Sequence, residues 1–216
     1  MESRSFLQHF NELFAWVYRL AYVTVLWWAF VILGLGVFGT FPATTAMFAV
    51  MRKWILVDPD IPLFQTFWST YKREFLTSNA TGYLIGAIGA ILAWNFYLLT
   101  RHPGGISSVA IGGLSVVSAV YVAVLSLLFP VLVHFDLSPL KSIQLSFILA
   151  VTQPIRSLLL LCAIGLFAYC GLHIGGFVTV FFASIFGLVI IRMAYFKNPV
   201  FQKIHLASPI RKVGSP

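Results

Sequence analysis

The pattern that governs this chain is a succession of long apolar runs separated by short polar connectors. Residues 1–12 are polar and mixed, with Glu2, Arg4, His9 and Glu12. An apolar run begins between Leu13 and Leu20 and ends near Phe38, with Trp16, Tyr18, Arg19 and Tyr22 suited to an interface. Pro42 to Val57 makes a second, shorter segment that ends on Arg52, Lys53 and Trp54. Pro42 suits the first turn of a helix and Thr40 its cap. At this length the segment is only just able to cross a bilayer, and it could instead be re-entrant or lie flat. Further spans are predicted over Thr81–Leu99, Ile106–Val133, Ile155–Gly171 and Phe177–Phe196.

Two segments carry a helical two-sided pattern instead. After the turn Asp58-Pro59-Asp60-Ile61-Pro62, a helix is predicted from Leu63 to Leu76. Phe64, Phe67, Trp68, Tyr71 and Phe75 fall on one face, while Thr66, Thr70, Lys72, Arg73 and Glu74 fill the other. Phe64, Phe67, Trp68, Tyr71, Lys72 and Arg73 are therefore the candidate surface for lipid or a partner. The second segment starts at Ser138-Pro139, a candidate cap and first helical residue, and breaks at Pro154. Leu140, Ile143, Phe147, Ile148 and Val151 line its predicted apolar face.

Composition fits this pattern. The 216 residues are 60% hydrophobic and 9% charged, with mean hydropathy +0.94, against about 25% charged residues in soluble domains. The expected class is an all-α, polytopic transmembrane bundle with two cytoplasmic-side amphipathic helices. Residues 1–200 form one membrane domain and residues 201–216 a basic, flexible tail. The net charge of +8 resides in connectors and tail. It therefore speaks for orientation and anionic lipid headgroups rather than nucleic acid. Cys162 and Cys170 lie about 12 Å apart along one predicted helix, too far for a disulfide, and read as small packing residues.

Charge also selects the topology. With six spans and both termini in the cytoplasm, all of the 14 Lys and Arg residues except Arg101 face inward. The best five-span arrangement leaves Arg4, Arg19 and Arg101 outside, so six spans obey the positive-inside rule better. The location that follows is the plasma membrane, multi-pass.

Chemistry is sparse. Gly34, Gly36 and Gly39 form a G-x-G-x-x-G, but no strand precedes them, so they read as a turn and close helix packing rather than a nucleotide loop. Asn95 is the strongly polar interior group of its span. All six acids lie outside the central membrane segments, which leaves no intramembrane ionisable group of the kind that couples ion transport. Asp58 and Asp60 are too few for a metal site, and His134 and Asp136, two apart, do not share a helix face. No catalytic or cofactor-binding constellation stands out, and a non-enzymatic role is expected.

The order GTFPATTAMFAVMRKW, then FQTFWSTYKREF, then a glycine-containing span resembles the YesL family of bacterial membrane proteins. Pro42, Ala43, Thr44, Ala46, Arg52 and Lys53 match the start and basic pair of that family's second apolar segment, as do Phe64, Phe67, Trp68, Tyr71 and Lys72 its aromatic helix. Phe41 departs from the family pattern where a glycine is expected. SPLKSIQLSFILAVTQPIRSLLLL resembles the family's connector into the fifth span. The resemblance implies an accessory role beside sugar-uptake transporters, whose subunits would be partners. The alternative is a small transporter or channel acting alone or as an oligomer, with Asn95, Thr44, Thr45 and glycine faces along its path.

Overall fold

The computed structural model describes residues 2–57, 60–101, 105–135, 137–174, 184–185 and 187–193. The described residues contain helices and connectors and no strand. The helices are α1 (Glu2–Leu33), α2 (Val37–Leu56), α3 (Leu63–Arg101), α4 (Gly105–His134), α5 (Pro139–Thr152) and α6 (Pro154–Ile174), followed by α7 (187–193). Phe14–Leu33, Leu63–Arg101 and Val109–His134 are each long and apolar enough to cross a membrane. A fourth crossing is added if α5 and α6, bent by 99°, form one broken span. The six spans expected from charge are thus not all seen as separate crossing helices. The last expected span and the tail lie largely outside the described residues.

The organising helix is α2. Pro42, Ala43, Ala46, Val50 and Met51 are buried in it, and it packs against α1, α3 and α4. On the remaining side Gly187 of α7 lies against the side chains of Met47 and Met51. The hydroxyls of Thr24 on α1 and Ser184 hydrogen-bond each other.

Large apolar side chains such as Phe67, Met51 and Leu128 share the interior with small and hydroxyl ones, and many other large apolar side chains face outward. In α5, Ser142 and Ser146 are inside, whereas Leu140, Phe147, Ile148 and Val151 are exposed. The predicted apolar face of this segment is therefore its outer face. Between α2 and α3, Ser78 donates to Thr45 at 2.8 Å, and Thr66, Thr70 and Thr81 are buried nearby in α3. This inversion follows from an apolar solvent: burying Leu gains little from lipid, so close backbone approach and interhelical hydrogen bonds decide what lies inside.

Two boundaries and one partner differ from expectation. The amphipathic segment and the following span are one continuous helix, α3, because Leu76–Ala80 contains no breaker and its buried face runs on through Ser78, Asn79 and Gly82. α2 starts at Val37, five residues ahead of Pro42, so the proline sits inside the helix. Thr40 is consequently not a cap; its hydroxyl donates back to Gly36 O at 2.7 Å. Asn95 likewise donates to Ile91 O of its own helix at 2.8 Å and is exposed rather than bonded to a neighbour.

Candidate functional site at the basic, aromatic end of the bundle

The carboxyl end of α2, the amino end of α3 and the carboxyl end of α4 meet at one end of the bundle. α2 and α3 run antiparallel, so the family-motif segment and the aromatic helix lie side by side. Pro42, Ala43 and Ala46 form the buried spine of this contact, and Thr44 is half-buried, accepting from Trp27 Nε1 at 3.1 Å.

A proline inside α2 removes the N–H that would bond Phe38 O, and its ring crowds that turn. The deficit is met from α3. Asn79 Nδ2 donates to Phe38 O at 3.0 Å. Tyr83 Oη makes a separate bond, donating to Val37 O at 3.2 Å. Asn79 is buried and also donates to Phe75 O at 2.9 Å. Asn79 is thus an internal splice between helices. Sequence reading passed over Asn79, although a buried-helix proline four residues after a carbonyl was a signal that a donor was needed.

The aromatic stripe of α3 splits in two. Phe67 is 0% and Tyr71 4% exposed, and their rings lie 5.0 and 4.9 Å from that of Phe30 on α1. Tyr71 Oη donates to Phe30 O at 3.3 Å. These two rings are internal, which does not fit their assignment to a surface facing lipid or a partner. Phe64 is exposed and Trp68 half-buried. Lys72 and Arg73 are exposed beside them, with the Lys72 ammonium 4.7 Å from the centre of the Trp68 ring.

Cations gather here. Arg52 donates to Val133 O, placing a positive charge at the carboxyl end of α4 where the helix dipole favours it. Lys53 Nζ donates to Thr66 Oγ1 at 3.3 Å. Partial burial of its ammonium, then the charges of Arg52 and Arg73, hold Lys53 below the usual lysine value. Arg73 pairs with Glu74 at 2.8 Å, and Arg19 pairs with Asp60 while lying over Trp16. Trp16 meets Trp54 edge to face at 5.8 Å. The surface of this end therefore combines Phe64, Trp68, Lys72 and Arg73 with the Arg52–Lys53 pair. It suits anionic headgroups or an acidic partner segment.

Other candidates are not brought together. Thr44 and Thr45 are neighbours on α2 with separate partners, Trp27 and Ser78, while Asn95 bonds within its own helix. Among the described residues no three His, Cys, Asp or Glu side chains cluster as metal ligands. Cys162 is exposed rather than packed, and the side chain of Cys170 lies outside the described residues.

Known proteins match most of the chain. The family profile described as "Protein of unknown function, DUF624" matches residues 20–96, which run from α1 to near the carboxyl end of α3. The uncharacterized protein YteU of Bacillus subtilis (strain 168) is 34% identical over 181 residues, covering 83% of this chain and 81% of its own. The uncharacterized proteins YesV and YesL of the same organism are each 31% identical, over 87% and 86% of this chain and 88% and 87% of theirs. No solved structure gives a significant match.

Proposed function

Because the chain belongs to the DUF624 family that includes YesL, we propose that it is a multi-pass plasma-membrane protein that binds a partner rather than catalysing a reaction. Its apolar segments form three hairpins with both termini in the cytoplasm, and the basic, aromatic end of the bundle faces the cytoplasm too. The partner is a subunit of a sugar-uptake transporter, met together with anionic headgroups at this surface. The observation that carries the reading is the unequal treatment of the aromatic helix. Phe67 and Tyr71 hold α3 to α1 together with half-buried Trp68, whose ring lies 5.4 Å from that of Phe30, while Phe64, Lys72 and Arg73 are exposed on the same helix as an aromatic and cationic face. Such a face offers ring area and charge without disturbing the fold when altered.

Co-purification in mild detergent tests it. Lys72→Glu with Arg73→Glu should abolish recovery of transporter subunits while membrane insertion and yield persist. Recovery unchanged by the charge reversal would remove the role of this surface. Solute flux by the purified protein alone in liposomes would refute partner binding as the whole function. For orientation, a cysteine at Phe6 should resist an impermeant thiol reagent in whole cells, and its labelling from outside would refute a cytoplasmic amino terminus.

A further inference from the structure

The helices of this bundle are unequal in a way that bears on where the membrane lies. α3 has 39 residues and is thus about 58 Å long, nearly twice the ~30 Å of a hydrocarbon core. Its charges mark two levels only: Lys72, Arg73 and Glu74 in its first third, and Arg101 at the end. The uncharged stretch between them, Phe75–Thr100, is about 39 Å long, close to the thickness of a bilayer with its headgroup layers.

The α1–α2 hairpin meets α3 at Asn79, Gly82 and Tyr83. Asn79 bonds Phe38 O, Phe41 covers Gly82, and the rings of Phe38 and Tyr83 lie 6.1 Å apart. From Tyr83 the helix continues roughly 27 Å to Arg101. A Cβ at Gly86 would meet open space, and Trp94, Phe96, Tyr97 and Leu98 are exposed. We propose that α1 and α2 form a re-entrant hairpin whose tip, Leu33–Val37, stops inside the bilayer among lipid acyl chains, while α3 and α4 cross it completely. The inference rests on the membrane orientation proposed above.

Three features of the tip suit lipid rather than water. From Phe30 to Gly39 the sequence has no polar side chain, and Ile32, Leu33, Leu35 and Val37 are 64–83% exposed. The connectors that follow α2, α3, α4 and α5 contain Asp58 and Asp60, His102, Asp136 and Ser138, and Gln153 respectively. The turn also satisfies its own donors. Gly34, Leu35, Gly36 and Val37 N–H bond Phe30, Ile32, Val31 and Leu35 O at 2.8–3.0 Å, as backbone in hydrocarbon must. Finally, Leu35 has φ +57° at the position of a helix stop that glycine normally fills. An apolar side chain is kept there in spite of that conformation.

The alternative, a full crossing by α1 and α2, would centre the membrane on α2. The contacts Ser78–Thr45 and Lys53–Thr66 place Lys72 beside the middle of α2. Exposed Lys72 and Arg73 would then stand near the midplane, at roughly 2.5–3.5 kcal/mol each, and the outer half of α3 would stand in water.

The test uses the full chain with Cys162→Ala and Cys170→Ala, reconstituted in phosphatidylglycerol–phosphatidylethanolamine vesicles. Leu35→Cys carries a nitroxide in one preparation and is offered an impermeant maleimide in another. Loss of maleimide labelling from both faces is expected, with collisions dominated by oxygen over a water-soluble nickel chelate. Arg101→Cys should label from one face and Phe6→Cys from the other. Labelling of position 35 from either face, or nickel collisions there matching those at position 101, would overturn the hairpin. If positions 6 and 101 label on exchanged faces, the orientation fails alone, and the depth at position 35 still decides the hairpin.

Discussion

The sharpest energetic claim concerns Pro42 and Asn79. The proline leaves Phe38 O without its helical donor, and the Asn79 amide supplies one from α3 at 3.0 Å. Removing that amide by Asn79→Ala strands a carbonyl in a buried, low-dielectric contact. A buried unsatisfied group costs about 1–3 kcal/mol, and interhelical hydrogen bonds in membrane proteins measure about 0.6–1.7 kcal/mol. We therefore expect Asn79→Ala to destabilise the protein by ~1–2 kcal/mol. In a Pro42→Ala background residue 42 regains its N–H and can bond Phe38 O within α2. The same Asn79→Ala change should then cost about half or less, a coupling of the size seen for residues sharing one partner. The four proteins are compared by reversible unfolding in mixed micelles, titrating denaturing detergent and following tryptophan fluorescence. Equal cost in both backgrounds would refute the hand-over of Phe38 O, leaving Asn79 as ordinary packing.

Other outcomes follow from single positions. Gly82→Ala drives a Cβ to 2.2 Å from the Phe41 ring and should cost about 1–3 kcal/mol. Gly86→Ala, with open space around it, should be neutral or slightly stabilising in the same unfolding assay. Leu35→Gly relieves the left-handed backbone at φ +57° and should raise stability by about 1 kcal/mol, and a loss of stability would mean the leucine side chain outweighs the strain. Lys53 is held below its ordinary value of 10.5, so between its folded value and 10.5 the unfolded chain binds more protons and stability rises with pH. That rise should be smaller in Lys53→Gln, which at neutral pH should be no less stable than the parent; identical pH profiles would refute the charge crowding at Lys53.

Much of this architecture was legible because its signals are local. Gly34 and Gly39 read as close packing: a Cβ on Gly34 would fall 2.3 Å from Gly39 Cα. Gly36, with φ +77°, supplies the turn. Pro154 stops α5, and Pro139 opens it. Signals that take water as the reference do not carry over to lipid. An aromatic stripe opposite polar residues predicts a surface face, yet Phe67 and Tyr71 are inside together with Thr66 and Thr70. In a bundle facing lipid the hydroxyl side is as good an interior as the aromatic side, so amphipathicity alone does not tell inside from outside. The continuity of α3 was hidden for a related reason: Lys72–Glu74 resembled a border between two helices, but charge marks the membrane level and not a helix end. Asn79 was missed because its role depends on Pro42, a partner 37 positions away that only the fold brings close.

The uninterrupted course of α3 has a mechanical consequence. The helix carries the cationic face at Lys72 and Arg73, the splice at Asn79 and the exposed aromatic group at Trp94 and Tyr97 on one axis, with no proline along its length. The stretch beyond Gly86 is braced chiefly by α4, through Tyr121 against Gly89. A stiff rod held near its middle and loaded at one end moves its other end in the opposite sense. A partner that draws Lys72 and Arg73 aside at one membrane surface would therefore swing Arg101 in the opposite sense through the far leaflet, with the contacts around Tyr83 as the fulcrum.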